Sequence, residues 1–184
     1  MLPICVVNNH GQFNHLIHRA LRDLDIEVAL VSNTTPPQEI AAKYRGIILG
    51  GGPDIGRAGV CAEYLDLGIP VLGICLGLHI IAKKFGGEVR PGKSGGYGSV
   101  DVNIREHDDI LKGYPEKISV WASHADEVCN VPEGFSVLAS SDICDVEAIA
   151  LPDKKIYGLQ WHPEVSHTQD GSQVYLNFDA ICGK

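Results

Sequence analysis

A cysteine between two glycines is the residue whose surroundings most clearly suggest chemistry. Cys75 lies in GICLG, with Gly73 two residues before it and Gly77 two residues after it. This is the G-x-nucleophile-x-G pattern, in which the reactive residue sits on a sharp turn from a strand into a helix. The amides and dipole at the start of such a helix favour the thiolate. We predict that Cys75 is a nucleophile, with a buried structural cysteine as the alternative interpretation.

A nucleophilic cysteine needs a base, and the base needs a third group to orient it. His162 and Glu164, in LQWHPE, are two residues apart, which places them on one side of an extended segment. His124 and Asp126, in ASHADE, have the same spacing and also follow a predicted strand. Spacing alone leaves both pairs open.

A second glycine-rich segment, LGGGPD from Leu49 to Asp54, also follows a predicted strand. Its backbone amides, together with the amide of Leu76, are suited to stabilising an oxyanion near Cys75. Because Gly and Pro are common in every kind of loop, an ordinary turn is the alternative interpretation.

Two other patterns do not predict a binding site. GEVRPGKS, residues 87–94, matches the phosphate-binding pattern G-x-x-x-x-G-K-S. That motif must lead from a strand into a helix, whereas this segment follows a predicted helix and precedes GGYGSV. His15 and His18 are one helical turn apart, but neither a cysteine nor a carboxylate completes a ligand set, so we predict no metal site.

The elements that must position these residues alternate along the first half of the chain and change character in the second. Strands alternating with helices are typical of a parallel sheet covered on both faces. In the second half, apolar and polar residues alternate, as in half-exposed strands. We therefore predict an α/β fold: an open, mostly parallel sheet with helices on both faces and an antiparallel or mixed extension. The predicted strands are 3–8, 26–32, 46–50, 70–75, 99–107, 117–124, 135–140, 146–151 and 154–161, and the predicted helices are 13–24, 36–44, 58–68, 76–87 and 172–182.

Composition limits the class of protein. The 184 residues are expected to form a single domain, 1–184. A net charge of −8 with scattered Lys and Arg argues against a nucleic-acid or anionic-membrane surface. The apolar runs are shorter than the roughly 20 residues of a membrane span, and no signal peptide is recognisable. Six cysteines without a C-x-x-C pair predict free thiols and a cytoplasmic location.

Three of these motifs together resemble a known family, and the resemblance covers essentially the whole chain. GGGP, then GICLG, then HPE some 87 residues after Cys75, are similar to the class I (triad-type) glutamine amidotransferases. The resemblance implies the flavodoxin-like fold of that family. It also implies that Cys75 is the nucleophile, that His162 is its base and Glu164 the residue orienting it, and that Gly52 and Leu76 supply the oxyanion amides.

The same resemblance implies a set of residues that hold glutamine. Ser123, Ala125 and Asp126 would lie near the amino-acid end of the substrate. Tyr97 and Gly98 would form the pocket wall. The family commonly carries Gln at the position of His79, and that Gln helps to hold glutamine, so a contact from His79 is a departure from the pattern.

Longer segments resemble one branch of the family. GQFNHLIHR, VWASHADEV and WHPEVSHTQDG are similar to the amidotransferase part of GMP synthetases. This implies L-glutamine as substrate and a separate ATP-pyrophosphatase subunit that binds ATP and Mg²⁺ and aminates XMP, with no cofactor in this chain. The alternatives are an amidotransferase subunit serving another synthetase, such as one of the anthranilate or aminodeoxychorismate type, and an elbow-cysteine hydrolase or peptidase of similar fold.

Overall fold

Nine strands and five α-helices make up the fold in the computed structural model, which describes residues 1–183 without the side chains of residues 94 and 95. The strands are β1 (Ile4–Asn8), β2 (Val28–Ser32), β3 (Gly46–Leu49), β4 (Val71–Ile74), β5 (Glu88–Ile104), β6 (Lys117–Asn130), β7 (Ser136–Ser141), β8 (Ala148–Leu151) and β9 (Ile156–Leu159). The helices are α1 (Asn14–Asp23), α2 (Pro37–Lys43), α3 (Cys61–Tyr64), α4 (Leu76–Lys84) and α5 (Ser172–Cys182).

All nine strands form one mixed sheet in the order β2-β1-β3-β4-β9-β8-β7-β5-β6. The neighbours among β2, β1, β3, β4 and β9 are parallel, and the remaining pairs are antiparallel. The predicted α/β architecture with an antiparallel extension is therefore confirmed. The strand order reverses between β1 and β3, and ligands of open α/β sheets bind beyond the carboxyl ends of strands at such a point.

The helices cover both faces of the parallel half because alternate strand residues point to opposite sides. Ile4 and Val6 of β1 belong to the core beneath α1 and α5. Cys5 and Val7 belong to the core beneath α2, α3 and α4. The strands are consequently buried on both faces, which explains their uninterrupted apolar sequences. No helix in residues 1–183 has the length and apolar character needed to cross a membrane.

Two predicted elements differ from the structure. The helix predicted over 58–68 is only one turn, Cys61–Tyr64, because Gly59 just before it has a φ of +56° and the chain turns again at Gly68 (φ +73°). The strand predicted over 99–107 begins much earlier, at Glu88, because β6 pairs along most of β5 and so extends it through a glycine-rich stretch with weak intrinsic preference. The phosphate-motif-like segment therefore lies mainly in β5 and does not open a helix.

Helix α4 packs close to β3 and β4 because glycines remove the intervening side chains. A Cβ atom at Gly77 would lie 2.3 Å from the carbonyl oxygen of Leu49, and one at Gly73 would lie 2.5 Å from the carbonyl oxygen of Gly77. Both distances are far below van der Waals contact, and both neighbours are backbone atoms that cannot rotate away.

We expect Gly77→Ala to lower the free energy of unfolding by at least ~2 kcal/mol, because helix and strand must separate to admit the methyl group. Gly183→Ala is the matched control, since its Cβ would have no neighbour closer than 3.6 Å and its φ is −84°. The control should change stability by less than about 0.5 kcal/mol. Urea unfolding measures both, and equal stabilities of the two variants would contradict the proposed close packing.

A buried carboxyl group precedes β8. Glu147 is 1% exposed, and its Oε1 accepts a hydrogen bond of 2.7 Å from the Ser141 hydroxyl. Burial raises the pKa of Glu147, the Ser141 hydrogen bond opposes this, and the nearby Glu127 carboxylate adds to it, with a net pKa of about 7. The native state therefore holds this proton more tightly than the unfolded chain does.

This linkage predicts that Glu147 makes stability fall with increasing pH. Its contribution is fully present below the unfolded pKa near 4.5 and is lost as the pH rises through about 7. Glu147→Gln should be more stable than the wild type at pH 8 by at most ~3 kcal/mol, and the advantage should vanish near pH 4.5. Urea unfolding of both proteins at each pH tests this, and a pH-independent difference would refute it.

Candidate active site

Cys75 occupies a strained turn between β4 and α4. Its φ is +55° and its ψ is −104°, a conformation that non-glycine residues rarely adopt. The backbone N–H of Cys75 donates to the Leu159 carbonyl (2.8 Å), which ties the turn to the end of β9. The side chain is 7% exposed, and its Sγ lies 3.6 Å from the Ser123 carbonyl oxygen. The predicted elbow is therefore present, with the thiol at the carboxyl edge of the parallel sheet.

His162 follows β9 and is held from several directions. Its Nδ1 donates to Oε1 of Glu164 at 2.5 Å, so Nε2 is left for Cys75. Its backbone N–H donates to the Trp121 carbonyl (3.0 Å), and its own carbonyl accepts from the Thr168 hydroxyl (2.6 Å). The Phe13 ring packs edge-on against the imidazole, with ring centroids 5.0 Å apart. These contacts fix both the position and the tautomer of His162.

The surroundings of His162 favour its charged form. Burial opposes the charge, but hydrogen bonds to Cys75 and to Glu164 outweigh it and raise the pKa of His162 to about 10. An imidazolium beside a thiol stabilises the thiolate. Sulfur, imidazole and carboxylate thus form an arrangement suited to nucleophilic attack followed by proton transfer.

The competing pair has a different arrangement. Nδ1 of His124 bonds to the backbone carbonyl of Asp126 (2.9 Å), not to its carboxylate. Its Nε2 is buried without a partner in the described part of the chain and lies over Gly96, where a Cβ would be 2.4 Å away. Burial lowers the pKa of His124. His124 therefore has no carboxylate to orient it.

Gly52 and Leu76 lie next to each other beside Cys75. A Cβ at Gly52 would be 2.8 Å from a methyl carbon of Leu76 and 2.1 Å from the Asn9 carbonyl oxygen. Leu76 is the first residue of α4, so its N–H has no acceptor within the helix. Both backbone amides are therefore close to the sulfur, as the oxyanion prediction requires.

Two asparagines hold the glycine loop in place. Nδ2 of Asn9 donates to the Gly50 carbonyl (3.1 Å), and Nδ2 of Asn14 donates to the Gly51 carbonyl (3.0 Å). Both asparagines are buried. Sequence reasoning missed them, although polar residues directly after β1 were a signal that the loop there has a binding role.

Two cavities meet at Cys75. The larger has a volume of about 410 Å³, and five of the six residues predicted to hold glutamine line it: His79, Tyr97, Ser123, Ala125 and Asp126. Gly98, the sixth, is not part of that lining, and its φ of +105° bends β5 instead. The smaller, about 230 Å³, lies on the His162 side and is bordered by His10, Gln12 and Phe13, which sequence reasoning also missed.

His79 lines the larger cavity but is already engaged. It is 5% exposed, and its Nε2 donates to Oε1 of Gln160 at 2.8 Å. Gln160 is completely buried and was not predicted as a site residue. Its position, a polar amide directly after the apolar strand β9 and two residues before His162, was the available signal.

Comparison with known proteins agrees with this geometry. The family model described as "Glutamine amidotransferase class-I" matches residues 5–181. This chain belongs to the class I glutamine amidotransferase family. A protein of Methanoregula boonei, named as one subunit of a glutamine-hydrolysing GMP synthase, is 81% identical over 182 residues, which is 99% of both chains. The protein of the same name from Methanoculleus marisnigri is 63% identical over the full length of both chains.

A solved structure shows the same fold for a related amidotransferase-family chain. A protein of Thermoplasma acidophilum, 36% identical, superposes with a TM-score of 0.94 and covers 100% of this chain and 94% of its own. The fold prediction is thereby confirmed by comparison as well as by topology. Across residues 1–183 of this amidotransferase, no cluster of three or more His, Cys, Asp or Glu side chains is arranged to hold a metal ion.

The contacts of the two histidines predict different effects of their replacement in this amidotransferase. His162→Ala should lower kcat for glutamine hydrolysis by about 10²- to 10⁴-fold, the range for loss of a positioned acid–base group. His124→Ala should lower kcat by less than about ten-fold and act mainly on KM, because His124 lines the larger cavity without contacting a carboxylate. Glutamate release measures both, and the reverse order would assign the base to His124.

Proposed function

We propose that this amidotransferase is the glutamine-hydrolysing component of a two-subunit GMP synthase and passes ammonia to a separate synthetase subunit. The observation that carries the chemistry is the arrangement of Cys75, His162 and Glu164 at the junction of two cavities. The acceptor is supported by the name of relatives that match along 99–100% of both chains. Because that name designates one subunit of a synthase, it also supports the existence of a further subunit.

Glutamine hydrolysis begins with the Cys75 thiolate beside the His162 imidazolium. The sulfur attacks the carbonyl carbon of the glutamine side-chain amide, and the amides of Gly52 and Leu76 stabilise the resulting oxyanion. When the tetrahedral intermediate collapses, the C–N bond breaks and His162 gives its proton to the departing nitrogen. The products are ammonia and a glutamyl thioester on Cys75.

The second half of the reaction regenerates the enzyme. Neutral His162 removes a proton from water, and the oxygen of that water attacks the thioester carbonyl. The C–S bond then breaks, which releases glutamate and a proton and restores the thiolate–imidazolium pair. Glu164 keeps its hydrogen bond to Nδ1 throughout, so the imidazole exchanges protons only at Nε2.

The two cavities divide substrate and product between them. The larger cavity holds the amino-acid end of glutamine near Ser123, Ala125 and Asp126, with Tyr97 at its rim. The amide nitrogen must face His162 to be protonated, so ammonia forms on the side of the smaller cavity. That side therefore faces the path to the synthetase subunit.

The partner in this proposal is an ATP-pyrophosphatase subunit that binds ATP and Mg²⁺, adenylates XMP and receives the ammonia to form GMP. A free amidotransferase that hydrolysed glutamine rapidly would waste it. Low activity of the isolated chain and stimulation by the loaded partner are therefore part of the proposal.

The test combines this chain with the ATP-pyrophosphatase chain of the same genome and measures GMP formed from XMP, ATP, Mg²⁺ and glutamine. We expect GMP synthesis, and glutaminase activity at least ~10-fold higher with partner, XMP and ATP than without. Cys75→Ser should abolish synthesis from glutamine while added ammonium still supports it, because only the ammonia source is lost.

Three results would contradict the proposal. Fast glutamine hydrolysis by the isolated chain, unchanged by partner, XMP and ATP, would remove the coupling. Stimulation by a synthetase of the anthranilate or aminodeoxychorismate type, with no GMP formed, would keep the glutaminase chemistry and replace the acceptor. Failure of a glutamine-analogue electrophile to label Cys75 would return the chain to the hydrolase alternative.

A further inference from the structure

A buried side-chain amide lies directly behind the sulfur of Cys75. Gln160 is 0% exposed and follows β9, and its backbone N–H donates to the Glu147 carbonyl at 2.8 Å. Its side-chain Nε2 donates to Sγ of Cys75 at 3.7 Å, within hydrogen-bond range for sulfur. The hydrolysis steps derived above do not use this contact.

The orientation of the Gln160 amide is set by His79. An amide oxygen can only accept, so the 2.8 Å contact requires a proton on Nε2 of His79. Burial lowers the pKa of His79, which keeps the ring neutral and leaves Nε2–H as the donor. With its oxygen held by His79, Gln160 must direct its NH₂ group at Cys75 and not its oxygen.

An N–H donor and a carbonyl oxygen would act on the sulfur in opposite ways. A donor stabilises the thiolate, because hydrogen bonds to a charged acceptor are stronger than hydrogen bonds to a neutral one. An oxygen in the same place would repel the thiolate. The choice between the two depends on a side chain, His79, that does not touch the sulfur.

We propose that Gln160 is a catalytic residue that stabilises the Cys75 thiolate by donating a hydrogen bond to it, and that His79 is its positioning residue. This role deepens the function proposed above and rests on it. It also replaces the sequence-based expectation for His79, whose donor nitrogen serves Gln160 in place of glutamine.

The thiolate can be measured without glutamine. Alkylation of Cys75 by iodoacetamide, followed at pH 7 by site-resolved mass spectrometry, reports how readily the sulfur attacks. Gln160→Met fills similar space without an N–H donor, and we expect it to slow alkylation about ten-fold. Gln160→Leu is the second variant, to be used if Gln160→Met does not fold.

Two variants of His79 separate positioning from packing. His79→Leu removes the donor to Gln160 and should slow alkylation several-fold. His79→Gln keeps an N–H donor and should restore most of the rate. In glutaminase assays with the synthetase partner, Gln160→Met and His79→Leu should lower kcat by similar factors and change KM for glutamine by less than two-fold.

Asn177→Leu is the matched control. Asn177 is also a buried side-chain amide that donates two hydrogen bonds, to the carbonyls of Ile110 and Lys112, but it lies on α5 away from Cys75. It should leave Cys75 alkylation within two-fold of the wild type even if it lowers stability.

Any one of three outcomes would overturn the proposal. One is wild-type alkylation in the folded Gln160 variant. Another is equal slowing by Asn177→Leu, which would indicate a general loss of packing. The third is an increase in KM for His79→Leu with unchanged alkylation, which would make His79 a direct glutamine contact. If the wild type with its partner hydrolyses no glutamine, the proposed function fails, and the alkylation rates still decide the roles of Gln160 and His79.

Discussion

The backbone conformation of Cys75 is the constraint on which the rest of the structure depends. A φ of +55° at a residue with a Cβ atom is unfavourable and persists only where its surroundings enforce it. The enforcement comes from both sides of the turn: β4 is held between β3 and β9, and α4 lies against them at a distance that only Gly73 and Gly77 permit. The result is a thiol at the sheet edge with the first amides of a helix behind it.

Every other part of the site is placed by the sheet that holds this turn. The parallel strands β1, β3, β4 and β9 end at one edge, so their following loops meet there, although the chain separates them widely. Asn9 and Asn14 after β1 hold the glycine loop after β3. The antiparallel extension then contributes the far wall of the cavity and, through Trp121, a backbone bond to His162. The two halves of the sheet thus have distinct roles at one site.

Much of this could be predicted because it depends on local pattern. A strand, a glycine-flanked cysteine and a helix are specified within a dozen residues, and the alternation of apolar and polar residues identifies the remaining strands. The length of β5 and the shortness of α3 were not predictable in this way. β5 is extended by pairing with β6, and α3 is ended by glycines with positive φ, so tertiary contacts override the weak preferences of both segments.

The sequence by itself determined the fold class, the elbow around Cys75 and two candidate histidine–carboxylate pairs, because each is encoded over a few neighbouring residues. Only the tertiary structure decided between the pairs on contacts, since two residues of spacing place His124 against the backbone of Asp126 but His162 against the carboxylate of Glu164. It also brought Gln160 and His79 together behind the sulfur. Their contact joins residues 81 positions apart, and such a contact depends on how strands and helices pack, which no local pattern records.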